Sequence, residues 1–145
     1  MNSITISRSF WVPPQFYEKF LEDDFAGGLI NLWNIRDMCG IIFGAYYEGK
    51  LAGFLLLQET PEKEVIRGLF VSEKFRKLGV GKALVKEAID RTKILNTNLD
   101  LWVNASEGAE DFYRKFGFED RGRRVDFPDQ TTMVLYAKDM WTETH

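Results

Sequence analysis

Arg76, Gly79 and Gly81 stand at the spacing Arg76-x-x-Gly79-x-Gly81, and that spacing suits capture of a phosphate-type anion. An apolar, strand-like run ending at Val71 passes into the basic loop Ser72-Glu73-Lys74-Phe75-Arg76-Lys77-Leu78. The loop passes into Gly79-Val80-Gly81-Lys82-Ala83-Leu84, where a helix is expected to begin. The first N–H groups of a helix have no partner inside it and lie at the positive end of its dipole. A loop feeding such an end is an anion site by construction. Glycine at 79 and 81 removes the Cβ atoms that would hold a pyrophosphate away from the backbone. Two other phosphate-binding patterns fail on spacing. A Walker A loop needs glycine where this chain has Arg76, and Ser or Thr where it has Ala83. A dinucleotide fingerprint needs a third glycine where this chain has Leu84.

Other chemistries are excluded by absence. The one histidine is His145 and the one cysteine is Cys39. A Ser-His-Asp triad, a Cys-His pair and the commoner zinc sites therefore lack their parts, and no metal is expected. Cys39 opens an apolar run and reads as an inert core thiol. A net charge of −3 argues against a nucleic-acid partner, which would call for a basic face. The first eight residues lack the apolar run of a signal peptide, and the apolar stretches 41–47 and 51–57 fall far short of the ~20 residues that span a bilayer. No membrane role is expected, and the expected compartment is the cytoplasm.

The elements that must position the loop follow from periodicity. The chain has 145 residues, 45% of them hydrophobic and 28% charged, as one soluble domain over 1–145 would have. Residues 4–9 alternate as a strand. Pro13-Pro14 ends that run, and helices are expected over 14–23 and 29–37. Residues 39–47 and 50–58 form a hairpin about Glu48-Gly49. Residues 64–71 form a strand whose Gly68 marks a bulge or close backbone approach. Residues 79–95 form the clearest helix, with Val80, Leu84, Val85, Ala88 and Ile89 on its apolar stripe. Leu99, Leu101 and Val103 alternate with polar neighbours as a strand. Ser106 is expected to cap a helix with Glu107 and Glu110 in its first turn, and Gly117 is expected to end that helix. Strands over 118–126 and 131–137 close the chain. Such an order predicts an α+β or α/β domain around one mixed sheet.

A second block gives the loop a context. Leu101-Trp102-Val103-Asn104-Ala105-Ser106 is followed by Ala109 and by Phe112-Tyr113-Arg114-Lys115-Phe116-Gly117-Phe118. Together with the strand end Leu69-Phe70-Val71 and the Arg76–Gly81 loop, this order resembles the GNAT superfamily of N-acetyltransferases. The pyrophosphate loop of that family reads Gln or Arg, two residues, Gly, one residue, and Gly or Ala. Its later strand is often followed by a polar residue, an alanine and an aromatic-Tyr-x-x-x-Gly-Phe ending.

The resemblance implies a central, mostly antiparallel mixed sheet flanked by helices, with a bulge and splay near Gly68, and acetyl-CoA as cosubstrate. By position, Leu69, Phe70 and Val71 match the strand that pairs with the pantetheine arm. Arg76, Lys77, Leu78, Gly79, Val80, Gly81 and Lys82 match the pyrophosphate loop, acting mainly through backbone N–H groups. Lys74, Lys77 and Lys82 are the candidates for the 3′-phosphate. Tyr113 matches the tyrosine that protonates the departing thiolate. Ser106 stands where many members carry an asparagine, which leaves the cofactor contact between Asn104 and Ser106.

Direct acetyl transfer to a primary amine requires a neutral amine, a donor for the oxyanion and a proton for the thiolate. Backbone N–H groups near residues 68–71 are the candidate oxyanion donors. For the base, Glu64 is the first candidate and Glu59 the second, with a water chain beside them. The acidic balance favours a small cationic amine as acceptor, and the resemblance admits a homodimer. The alternative is a non-catalytic CoA-binding regulatory or interaction module on the same fold, and Tyr113 favours the enzyme.

Overall fold

A computed structural model describes residues 3–9, 40–95, 98–126 and 128–140. Seven strands hydrogen-bond in the order β1-β2-β3-β4-β5-β7-β6. They are β1 (Ile4–Ser9), β2 (Gly40–Tyr47), β3 (Lys50–Glu59), β4 (Glu64–Val71), β5 (Leu101–Ser106), β6 (Glu119–Arg123) and β7 (Gln130–Leu135). The described helices are α1 (Val80–Leu95), α2 (Glu110–Arg114) and α3 (Ala137–Met140), with a single 3₁₀ turn at Glu73–Phe75. The helices expected over 14–23 and 29–37 lie outside the described residues, as do Cys39 and His145.

β4 and β5 pair in parallel and the other described pairings are antiparallel. A parallel pair needs a long crossover, and α1 is that crossover. The mostly antiparallel mixed sheet with its helices is the expected architecture. The chain forms two compact units, Met1–Glu59 with Arg67–Ala88, and Thr60–Ile66 with Ile89–His145.

In the first unit, β2 and β3 are joined by a two-residue turn in which Glu48 (φ 49°) and Gly49 (φ 83°) both take positive φ. That is the turn whose twist matches a hairpin. The interiors of both strands are buried in continuous runs, with Ile41, Ile42, Phe43 and Phe54 to Leu57 all at 2% exposure or less. Both faces of these strands are thus shielded from solvent. Each such side chain contributes about 1.5–3 kcal/mol on burial. Ala45 pairs with Gly53 and Tyr46 with Leu51, so Ala52 is an extra residue on β3. The Ala52 carbonyl accepts from the N–H of Ser72 at 2.8 Å.

In the second unit, Glu64, Val65 and Ile66 of β4 pair with Leu101, Trp102 and Val103 of β5. Leu101, Val103, Met133, Val134 and Leu135 form the buried centre. β6, at the end of the bonding order, is exposed at every residue. β5 begins at Leu101, two residues after the start of the alternation at Leu99, and runs two residues past Asn104 to Ser106. Ser106 remains in the ladder opposite Gln130, so Ser106 is not the helix cap expected of it. α2 begins at Glu110 with Ala109 at the cap position and no side-chain cap bond. Its first turn is acidic through Glu110, as expected, and through Asp111, while Glu107 falls before the helix. Gly117 ends the helical region at φ 100°. Its N–H donates to Arg114 at 2.9 Å and that of Phe118 to Tyr113 at 3.3 Å, the paired bonds of a Schellman ending.

Candidate functional site

The loop that leaves β4 in the first unit is anchored before it turns basic. Phe75 is buried and its ring lies 6.1 Å from that of Tyr47. The N–H groups of Phe75 and Arg76 close the 3₁₀ turn on Ser72 (2.9 Å) and Glu73 (3.3 Å). Arg76, Lys77, Leu78 and Gly79 then emerge exposed. Lys77 (φ 66°) and Gly79 (φ 88°) both take left-handed backbone. A Cβ on residue 79 would meet only the Cδ1 of Ile4, at an ordinary 3.8 Å. The requirement for glycine there is therefore conformational rather than steric.

The first i→i−4 bond of α1 runs from the N–H of Ala83 to the carbonyl of Gly79 at 3.0 Å. The N–H groups of Val80, Gly81 and Lys82 precede it, and no acidic residue occupies the first turn to offset the dipole. Lys74, Lys77 and Lys82 are all exposed. The Arg76 guanidinium turns back instead, and its Nε donates to the carbonyl of Val71 at 3.1 Å. Arg76 thus ties the loop to the end of β4, which accords with a loop that acts through its backbone. Leu69, Phe70 and Val71 are half-buried on that strand.

One residue of this region escaped the sequence. A Cβ on Gly53 would fall 2.4 Å from the carbonyl oxygen of Phe70 and 3.1 Å from the Cα of Val71. Gly53 is what lets β3 lie this close to the end of β4. The signal was present, since a glycine between Ala52 and Phe54 interrupts an otherwise apolar strand. From the sequence, the bulge or close approach is expected at Gly68.

Glu64, Asn104, Ser106 and Tyr113 lie in the second unit. Glu64 is 2% exposed at the start of β4, and its N–H donates to the carbonyl of Asp100 at 3.0 Å. A carboxylate this deeply buried costs free energy, which marks the position. Asn104 is half-buried on β5, and its Oδ1 accepts from the hydroxyl of Thr132 at 2.9 Å. Ser106 ends the same strand, exposed. Glu59, the second candidate for the base, ends β3 in the first unit.

Tyr113 is 5% exposed on α2. Its ring packs edge-on against Phe112 at 5.1 Å and Phe118 at 5.5 Å. Burial pushes its phenol well above the usual tyrosine value, so the hydroxyl stays protonated at any ordinary pH. Among the described residues no three His, Cys, Asp or Glu side chains gather to hold a metal ion. No described helix is long and apolar enough to cross a membrane.

Comparison with known proteins gives these features a setting. The model of the acetyltransferase (GNAT) domain family matches residues 38–136. An uncharacterised N-acetyltransferase of Methanocaldococcus jannaschii is 34% identical over 95 residues, covering 59% of this chain and 42% of that protein. The spermine/spermidine N(1)-acetyltransferase of Bacillus subtilis is 28% identical over 102 residues, covering 63% of this chain and 66% of that protein. The chain therefore spans less than two thirds of the length of both. Among solved structures, a GNAT family acetyltransferase from Elizabethkingia anophelis with acetyl-CoA bound superposes with a TM-score of 0.69 at 23% identity, over 93% of this chain and 97% of that one.

Proposed function

The chain belongs to the GNAT acetyltransferase family, and from that premise we propose that it moves an acetyl group from acetyl-CoA to the primary amine of a small cationic acceptor. The observation that carries the proposal is the opening of α1. There an exposed basic loop with left-handed backbone at Lys77 and Gly79 meets a helix end with no acid in its first turn. This is the electrostatics a pyrophosphate requires. The N–H groups of residues 79–82 hold it, the exposed cations of Lys74, Lys77 and Lys82 supply the 3′-phosphate contact, and Leu69, Phe70 and Val71 align the pantetheine arm. Asn104 and Ser106 are the side-chain contacts assigned from β5.

The reaction is a direct displacement. The neutral amine attacks the thioester carbonyl, a C–N bond forms, and the C–S bond breaks from the tetrahedral intermediate. Backbone N–H groups near residues 68–71 receive the oxyanion. The Tyr113 phenol gives its proton to the departing thiolate, a role worth roughly 10²–10⁴ in rate. Glu64 takes the proton the amine loses, and its burial is what supports that choice over Glu59. The polyamine acetyltransferase among the relatives and the net charge of −3 both favour a cationic acceptor.

Thermal unfolding with acetyl-CoA, NAD and ATP is the first test. A ligand at 100 times its dissociation constant adds about 2.7 kcal/mol, or several degrees at roughly 2–4 °C per kcal/mol for a domain of this size. A shift with acetyl-CoA alone is expected, followed by CoA release when spermidine is added. An equal or larger shift with NAD or ATP overturns the reading.

A further inference from the structure

α2 is five residues long, far below the ~12–15 residues at which a helix begins to hold itself in water. Its placement must come from its packing, chiefly the buried Tyr113 ring, and from what grips its ends. The C-terminal grip is the pair of bonds at Gly117 and Phe118, one of which uses the carbonyl of Tyr113 itself. At the other end the cap residue is Ala109, which has no side-chain acceptor. Glu110 supplies the missing grip. Its Oε1 accepts from the N–H of Gly108 at 2.9 Å and its Oε2 from the hydroxyl of Thr131 at 3.2 Å. Thr131 is buried on β7, 6% exposed. One carboxylate thus ties the first turn of α2 backward to the β5–α2 turn and sideways to the sheet. Tyr113 lies three residues further along, on the adjacent turn. The N–H groups of Glu110 itself and Gly108 hold the carboxyl below the usual carboxylate range, so both oxygens are acceptors at neutral pH.

We infer that Glu110 is the positioning residue for Tyr113: its two-pronged hydrogen bond fixes where α2 sits and so where the phenol lies. It touches no reacting atom in this assignment, which rests for its kinetic consequence on Tyr113 being the acid. The geometry asks for two polar atoms at full glutamate reach and does not ask for charge. Glutamine meets that requirement, accepting from Gly108 through Oε1 and donating to the Thr131 hydroxyl through Nε2. Aspartate keeps the charge but is one carbon shorter, by about 1.5 Å.

The test uses the full chain labelled with 3-fluorotyrosine and read by ¹⁹F NMR, beside turnover with acetyl-CoA and spermidine. The spectrum of Tyr113→Phe identifies the Tyr113 line. Glu110→Gln is expected to leave that line in place and kcat within about twofold. Glu110→Asp is expected to move or broaden the line and lower kcat about tenfold or more, since an ångström of misplacement costs that much. Thr131→Val, which removes one prong only, is expected to move the line less. The double variant of Glu110→Asp with Tyr113→Phe is expected to turn over no more slowly than Tyr113→Phe alone. An unmoved Tyr113 line in Glu110→Asp overturns the inference, as does an equal effect of Gln and Asp. If Glu110→Asp moves the line while Tyr113→Phe keeps full turnover, the positioning stands and it is the acid assignment that falls.

Discussion

The carbonyl oxygen of Phe70 lies 2.4 Å from where a Cβ on Gly53 would be. Glycine at 53 is therefore a condition for the end of β4 to lie where it does, and Phe70 is the middle one of the three residues proposed to align the pantetheine arm. Gly53→Ala must push backbone against backbone, an overpacking cost of about 1–3 kcal/mol. The expected outcome is a lowered unfolding midpoint together with a raised KM for acetyl-CoA. A variant with native KM would separate the strand's position from cofactor binding.

Tyr113→Phe removes a hydroxyl and keeps the ring that packs on Phe112 and Phe118. Acetyl-CoA affinity should hold while kcat drops by roughly 10²–10⁴, the usual span for a general acid. Unchanged turnover across pH 6–9, a window of about three units around neutrality, would remove Tyr113 from the mechanism.

The same phenol makes a prediction about alkaline stability. Its folded value is raised by burial, above the unfolded value of about 10. Above that pH the unfolded chain has lost the proton and the folded chain keeps it. Unfolding then releases a proton, and stability falls by up to about 1.4 kcal/mol per pH unit. Below pH ~10 the group contributes no pH dependence. Denaturant titrations between pH 9 and 11, bracketing that value, should show a shallower loss in Tyr113→Phe than in the parent.

Gly79→Ala tests the loop. At φ 88° a side chain is strained whatever room it has, at a cost of about 1–2 kcal/mol. The unfolding midpoint should fall by roughly 2–4 °C for each kcal/mol, and the stabilisation given by acetyl-CoA should shrink as well. A full ligand shift in this variant would mean that the backbone at 79 is not part of the anion site.

Much of this was legible in the chain. The bounds of β1 and β4 follow directly from alternation and its breaks. The apolar stripe of α1 gives that helix to within a residue, and the Glu48-Gly49 turn gives its hairpin. What was not legible depended on partners distant in sequence. Ser106 has the chemistry of a cap, but its pairing with Gln130 on β7 keeps it in a strand. Local propensity cannot see a ladder partner 24 residues away. Glu110 reads as a favourable acid in a first turn, and only the fold brings Thr131 to its carboxylate. Arg76 reads as the first residue of the loop motif, and only the turn of the loop gives its side chain the Val71 carbonyl.

β6 carries Glu119, Asp120, Arg121 and Arg123 in five residues, all exposed, at the end of the bonding order. Its pairing with β7 also slips by one residue between Asp120 and Arg123. A strand at the end of a sheet offers unpaired amides to any other chain that meets it. Dense charge and a broken register are two of the ways natural sheets refuse that offer. A second copy meeting this edge would have to bring charge against charge and match an interrupted register.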